Sequence, residues 1–139
     1  MADIPTYTVR AYAKGVDIAP RKVSIVASLV RGRSVADALV ILDHTQRRAA
    51  TPVAKAIASA RANATNNHGL DGKSLTISKL SVTTGPRLKR FKPHMRGMTL
   101  PFQKKSSHIL VEVTGVEKVK KKPAAKQTAK PAEIVEEKN

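Results

Sequence analysis

Apolar positions change period twice along this chain. Over Thr6-Tyr7-Thr8-Val9-Arg10-Ala11-Tyr12-Ala13 they alternate every second residue, with β-branched and aromatic side chains, which predicts a short strand ending near Gly15. Either Tyr7, Val9 and Ala11 or Thr8, Arg10 and Tyr12 face the body. From Pro20 the spacing becomes three and four: Val23, Val26, Ala27 and Val30 form one stripe, Pro20 suits a first helical turn, and Gly32 closes the helix. Ser34 with Asp37 has the form of a capping box, and Val35, Ala38, Leu39, Ile41 and Leu42 give a second short helix to about His44. A third and longest helix is expected from Thr45 or Gln46 to Asn66, burying Ala50, Val53, Ala54, Ile57, Ala58 and Ala60. Pro52 either distorts that helix near Arg48 or stands at its first position after a Thr51 cap; the distorted longer helix is the preferred reading. Asn66-Asn67-His68-Gly69 ends it, and Asp71-Gly72 turns the chain.

The period then returns to two in a pair of arms, Leu75 to Thr84 and Ser107 to Val113. Leu75 and Ile77 share one parity and Leu80 and Val82 the other, which predicts a β-bulge near Ser78-Lys79. Ile109, Val111 and Val113 alternate strictly. The fold class is therefore α+β: three helices packed on a small three-stranded antiparallel sheet, with a long protruding β-hairpin over about residues 75–113. A turn near Arg96-Gly97 leaves each arm about ten residues beyond Gly85, or roughly 30 Å. A body of about 100 residues has a radius of gyration of only ~13 Å, so the hairpin must project beyond it. Residues 1–115 form one domain on this reading, and 116–139 are a Lys/Ala/Pro/Glu-rich tail with too little apolar area to order itself.

Charge decides what the projection is for. The net charge is +16, which points to a polyanionic partner, nucleic acid or an anionic surface. Residues 1–71 carry ten cations against five acids, whereas residues 72–115 carry nine against Glu112 alone. Leu88, Phe91, Met95, Met98, Leu100 and Phe102 add apolar groups that a free tip would not favour, and Pro86, Pro93 and Pro101 remove backbone donors and are expected to break the ladder. Candidate contacts on the hairpin are Arg87, Lys89, Arg90, Lys92 and Arg96 going out, and Lys104, Lys105, Ser106, Ser107 and His108 returning. On the body they are Lys14, Arg21, Lys22, Arg31, Arg33, Arg47 and Arg48; for Arg21, Lys22, Arg31, Arg47 and Arg48 a solvated helix surface is the competing explanation.

Other chemistries find little footing. Gly72-Lys73-Ser74 ends like a phosphate-binding loop, but Asn67 stands where its first glycine is required. Asn63-Ala64-Thr65 is a formal glycosylation sequon on a helix. His44, His68, His94 and His108 lack companions at ligand spacing, so no metal or other cofactor is expected. No catalytic pair or nucleophile arrangement emerges, so the chain is read as not an enzyme. Cysteine is absent, no apolar run reaches membrane-spanning length, and no secretory or transit pattern opens the chain, so a cytoplasmic location without membrane association is expected.

Several dispersed motifs together resemble one family. They are Pro20-Arg21-Lys22-Val23 with Val26 and Val30-Arg31-Gly32, Ala38-Leu39 with Ile41-Leu42, Ser59-Ala60 with Ala62-Asn63-Ala64, Gly85-Pro86 with Lys89-Arg90, and Ser106-Ser107-His108-Ile109. Over roughly Val9 to Val113 the chain resembles universal ribosomal large-subunit protein family 22 in its bacterial form. The resemblance departs at Ser24, where the family usually has a basic residue, and at the tip Pro93-His94-Met95-Arg96-Gly97-Met98-Thr99, which is poorer in arginine than usual. It implies a structural constituent of the large ribosomal subunit, present in single copy, that binds and organises 23S-type rRNA in translation. Its body would sit near the exit of the peptide tunnel. The hairpin tip, Phe91, Pro93, His94, Met95, Arg96, Gly97 and Met98, would line the tunnel beside the family 4 protein and meet the nascent polypeptide. The alternative is a DNA-architectural protein with basic β-ribbon arms and proline wedges.

Overall fold

The computed structural model describes residues 6–117; of the tail expected over 116–139, Val116 is the last residue of a strand and Glu117 is bridged to Leu70, while 118–139 lie outside the described residues. Strand β1 (Thr6–Val16) is followed by helices α1 (Pro20–Val30), α2 (Val35–His44) and α3 (Ala50–Ala62), and then by two long strands, β2 (Thr76–Pro93) and β3 (Thr99–Val116). The sheet is antiparallel in the order β1-β3-β2, so the last strand is central. Helices cover one face of it, α1 against β2 and α3 against β1 and β3.

The periodic positions supply the core. Val23, Val26, Ala27 and Val30 of α1 are all fully buried, as are Ile109, Val111 and Val113 of β3. On β1 the buried parity is that of Val9 and Ala11. The cap on α2 forms as expected: the Asp37 backbone N–H donates to Ser34 Oγ at 3.1 Å, while the Ser34 hydroxyl donates to Asp37 Oδ2 at 2.7 Å.

Helix α3 corrects the sequence reading. It does not begin at Thr45 or Gln46 but at Ala50, after a turn closed by Arg47 N–H to the Thr45 carbonyl and Ala50 N–H to the Arg47 carbonyl. Pro52 explains the late start. A helix reaching back to residue 46 would set its ring against the Arg48 carbonyl and lose a hydrogen bond. As third residue of the helix its missing N–H is one that no intrahelical acceptor would have served. Neither the distorted long helix nor the Thr51 cap is found. Ala56 takes a buried position, whereas Ala58 faces solvent. The helix ends by widening into a π turn over Asn63–Asn67, where Thr65 Oγ1 donates back to the Arg61 carbonyl at 3.0 Å.

The bulge expected near Ser78-Lys79 is present as a register shift between Ile77 and Lys79. A second shift lies between Thr84 and Arg87, where Gly85-Pro86 oppose the single residue Ser106. Beyond it β1 no longer accompanies β3, and the other two strands continue alone as a two-stranded ribbon. Pro86 falls in that irregularity, as expected, but Pro93 and Pro101 do not interrupt the ribbon: pairing runs without a gap from Arg87↔Lys105 to Pro93↔Thr99. His94 N–H donates to the Met98 carbonyl at 2.7 Å, which puts the inward-bonding parity at residues 92 and 94. Pro93 and Pro101 therefore fall on the outward parity, where the missing N–H costs no ladder bond.

Candidate nucleic-acid interface

The ribbon is built from its register. In an antiparallel pair, directly opposed residues share a face and neighbours alternate. One face thus carries Leu88, Arg90, Lys92, Leu100, Phe102 and Lys104, and the other Arg87, Lys89, Phe91, Pro93, Thr99, Pro101, Gln103 and Lys105. Each face holds three cations interleaved with apolar groups, and every residue from Pro86 to Lys105 is exposed. Phe91, Met95 and Met98 are 70%, 74% and 64% exposed. Lys92 Nζ lies 5.1 Å from the centre of the Phe102 ring, a cation–π contact within the first face. Arg87 stands directly opposite Lys105, a like-charge pair that weakens the free ribbon.

The tip turns where expected. Arg96 has φ 57° and ψ 35°, and Gly97 has φ 73°, two successive left-handed residues. Met98 N–H closes the turn on the Met95 carbonyl at 3.3 Å. Glycine meets this demand without strain, whereas Arg96 meets it at a cost of roughly 1–2 kcal/mol.

The root of the ribbon is tied inward, and this revises the returning-arm contact set. Ser106 Oγ donates to the Pro86 carbonyl at 2.6 Å. Ser107 is fully buried, its hydroxyl without a hydrogen-bond partner among the described residues, so it is removed from the set that can meet an outside partner. His108 Nδ1 accepts the Gly15 N–H at 2.9 Å, and its ring tilts against Tyr12 with centroids 5.9 Å apart. Lys104 Nζ pairs with Asp17 Oδ2 at 2.7 Å. Sequence reasoning missed Asp17, because nothing in the chain order brings residue 17 to residue 104. It missed in the same way Arg10, whose Nε meets Glu112 Oε1 at 3.0 Å across strands. These two ties engage the acids nearest the ribbon and leave its outer cations unmatched among the described residues.

The body cations divide into two groups. Arg31 and Arg33 follow α1, with their Nε atoms donating to the Leu80 carbonyl at 3.0 Å and the Leu29 carbonyl at 2.9 Å. Lys22 at the start of α1 lies across a groove from Arg47 and Arg48 of the α2–α3 turn, with Asp17, Ile18, Ala19 and Ala49 completing its walls. Arg21 is exposed beside Lys22. Lys14 sits 5.5 Å above the Tyr12 ring. No helix among the described residues is long and apolar enough to cross a membrane.

Comparison with known proteins agrees with the geometry. The family model described as ribosomal protein L22p/L17e matches residues 11–114. A large ribosomal subunit protein uL22 from Oceanobacillus iheyensis is 49% identical over 105 residues, covering 76% of this chain and 93% of the relative. The uL22 protein of Pediococcus pentosaceus is 50% identical over 105 residues, covering 76% and 89%. That of Metamycoplasma arthritidis is 41% identical, covering 94% of this chain and 69% of the relative. With a matched segment that takes in β1 from Ala11 onward, all three helices and both arms of the ribbon, the chain belongs to the ribosomal protein L22p/L17e family, in its bacterial form.

Proposed function

We propose that this large-subunit ribosomal protein binds and organises 23S-type rRNA, with its ribbon threaded between RNA segments and its tip lining part of the nascent-peptide exit tunnel. The observation that carries the reading is the equal division of cations between the two ribbon faces. A ribbon lying on one groove of a duplex needs charge on one side only. A ribbon with three cations on each side, exposed throughout, suits a polyanion on both sides, as in folded RNA. This favours rRNA over the DNA-bending alternative, as do the uL22 relatives. Selectivity would come from RNA shape rather than base sequence.

The tip adds a second property. Phe91, Met95 and Met98 are exposed apolar groups at the end of a charged arm. Such groups suit a wall over which an uncharged polypeptide slides. Their neighbours there would include the family 4 protein and the nascent chain.

The test is a salt series. Binding of the full chain to a folded 23S-type rRNA fragment should weaken steeply between 50 and 200 mM salt, because each neutralised phosphate releases counterions. Removing residues 87–105 and joining Pro86 to Ser106 through a short glycine turn should leave the body folded and lower the salt slope by several units. An unchanged slope with a folded body would overturn the ribbon's role. Deleting Leu88-Lys89-Arg90 should likewise preserve the body while altering particle assembly or tunnel geometry. Unchanged particles with unchanged nascent-chain behaviour would count against it.

A further inference from the structure

The two edges of the sheet are finished differently. Along β2 the edge is closed by the chain that follows α1. Gly32 N–H donates to the Ile77 carbonyl at 3.2 Å, Ile77 N–H to the Arg33 carbonyl at 3.0 Å and Val35 N–H to the Leu75 carbonyl at 3.0 Å. On β1, the other outer strand, Gly15 N–H turns inward to His108 of β3, and Asn63 Nδ2 reaches the Arg10 carbonyl from outside at 3.4 Å. Residues 10, 12 and 14 therefore carry the outward parity. Past the Asn63 contact, no backbone bond from another segment meets Tyr12 or Lys14 among the described residues. Beside that open stretch lies a groove of about 210 Å³, lined by Ala11, Tyr12 and Ala13 of β1 and by Pro52, Lys55, Ala56 and Ser59 of α3. It is smaller than a small-molecule site and takes one aliphatic side chain. A bare strand edge beside a largely apolar slot against a helix is the form that accepts an extended peptide as an added strand.

The surroundings select an acidic occupant. Lys55 lines the groove, Lys14 is exposed on β1, and the Arg10 side chain stays 72% exposed while it meets Glu112. The net charge of +16 sets a second copy of this chain against the same edge. The tail holds a segment of the required kind. Its first lysines, Lys118, Lys120, Lys121, Lys122, Lys126 and Lys130, precede Pro131, and Glu133-Ile134-Val135-Glu136-Glu137 follows, acidic at three positions and β-branched at two. The chain enters the tail beside β1, since Val116 pairs with Thr6. From Thr6 to Tyr12 is roughly 20 Å of strand, and a random chain as long as residues 118–132 has an r.m.s. length of about 21 Å. Linker and span match, which puts the local concentration in about the millimolar range. We propose that residues 133–137 dock on the open edge of β1 as an added antiparallel strand, with Val135 in the groove against α3. When Val135 lies opposite Ala13, Glu133 and Glu137 share the helix side with Lys55, and Glu136 falls opposite Tyr12, between Lys14 and Arg10. The docked segment closes the one edge of the sheet that the described residues leave open. This goes beyond the RNA-binding reading and stands or falls without it.

The experiment follows amide exchange and cross-strand NOEs in the full, isotope-labelled chain at low salt. The Tyr12 and Lys14 amides should show NOEs to residues 134–136 and be protected about threefold, as for a seat filled two-thirds of the time. Val135→Asp should abolish both signals, and Val135→Ile should keep them. Lys55→Glu should lower the protection, and Glu133→Lys with Glu137→Lys added to it should restore it. The Val9 and Ala11 amides, on the parity that faces β3, should hold their protection in every variant, which separates loss of docking from loss of fold. Exchange at Tyr12 and Lys14 that is the same in the parent chain and in Val135→Asp would overturn the proposal. Protection that rises with protein concentration would assign the edge to a second copy and overturn it as well. Protection lost in Lys55→Glu but kept in Val135→Asp would reduce the contact to loose charge attraction and overturn the added strand.

Discussion

Gly85→Ala tests whether the ribbon is aimed by its root. A Cβ built at Gly85 lies 2.6 Å from Ser106 Oγ, 3.2 Å from the Ser106 carbonyl carbon and 3.3 Å from its oxygen. The hydroxyl can rotate away, but it then gives up its 2.6 Å bond to the Pro86 carbonyl, worth about 1 kcal/mol. The carbonyl contacts remain, because both belong to the central strand. Overpacking of this kind costs about 1–3 kcal/mol. Two outlets exist: the body unfolds, or the ribbon opens. A two-stranded ribbon is marginal by itself, and this one also carries Arg87 opposite Lys105. The strain should therefore be relieved by opening the ribbon. In amide exchange and cross-strand NOEs of the free chain, the rungs from Arg87 to Pro93 should lose about tenfold or more in protection, while Val26 and Ile57 amides keep theirs. Ser106→Ala combined with Gly85→Ala should recover part of the loss, since it removes the nearest atom but not the backbone contact. Equal loss in body and ribbon, or full protection in both, would refute the reasoning.

Other perturbations address the body and the tip. Ser107→Ala removes a buried hydroxyl with no partner among the described residues, so urea denaturation should show unchanged or higher stability; a loss above about 1 kcal/mol would mean the hydroxyl is satisfied. Ile57→Ala, at a fully buried position of α3, should cost about 2–5 kcal/mol in the same assay. Ser34→Ala should cost about 1 kcal/mol through the lost α2 cap, and an isoenergetic variant would contradict the bond to Asp37 N–H. Arg96→Gly relieves a left-handed arginine, so the free tip should become better ordered by NMR while the salt slope of rRNA binding falls by about one.

Much of the fold was legible because burial here follows simple periods. Val23, Val26, Ala27 and Val30 could face one way only on a helix, and Ile109, Val111 and Val113 one way only on a strand. The parity change between Ile77 and Leu80 gave away the bulge. What could not be read were features set by neighbours far along the chain. The late start of α3 depended on where the Arg48 carbonyl would meet Pro52, and the commitment of Ser106, Ser107 and His108 depended on Pro86 and Gly15 arriving beside them. For the same reason the cations of the ribbon were visible in sequence, but the Lys104 tie to Asp17 was not. Pro93 and Pro101 misled because a proline's effect on a ladder depends on parity, and parity is settled by the turn at Arg96-Gly97.

Root and tip of the ribbon answer to different forces, and salt separates them. At the root, Ser106 to Pro86, His108 to Gly15 and Lys104 to Asp17 are contacts within the chain, and two of the three are hydrogen bonds that salt screens little. Beyond the Leu88–Lys104 rung the ties among the described residues are the ladder and its turn, the Lys92–Phe102 contact and Arg90 Nη1 donating to the Lys89 carbonyl, against the mutual repulsion of Lys89, Arg90, Lys92 and Arg96, which have no acidic partner among those residues. In the free chain added salt should therefore steady the outer ribbon, by screening that repulsion. In the RNA-bound state added salt should loosen it, by weakening the phosphate contacts. A protein whose arm was held by its own packing would respond in the same direction in both states. Opposite responses, read as amide protection of residues 87–93 free and bound, are what a ribbon organised by an external polyanion requires.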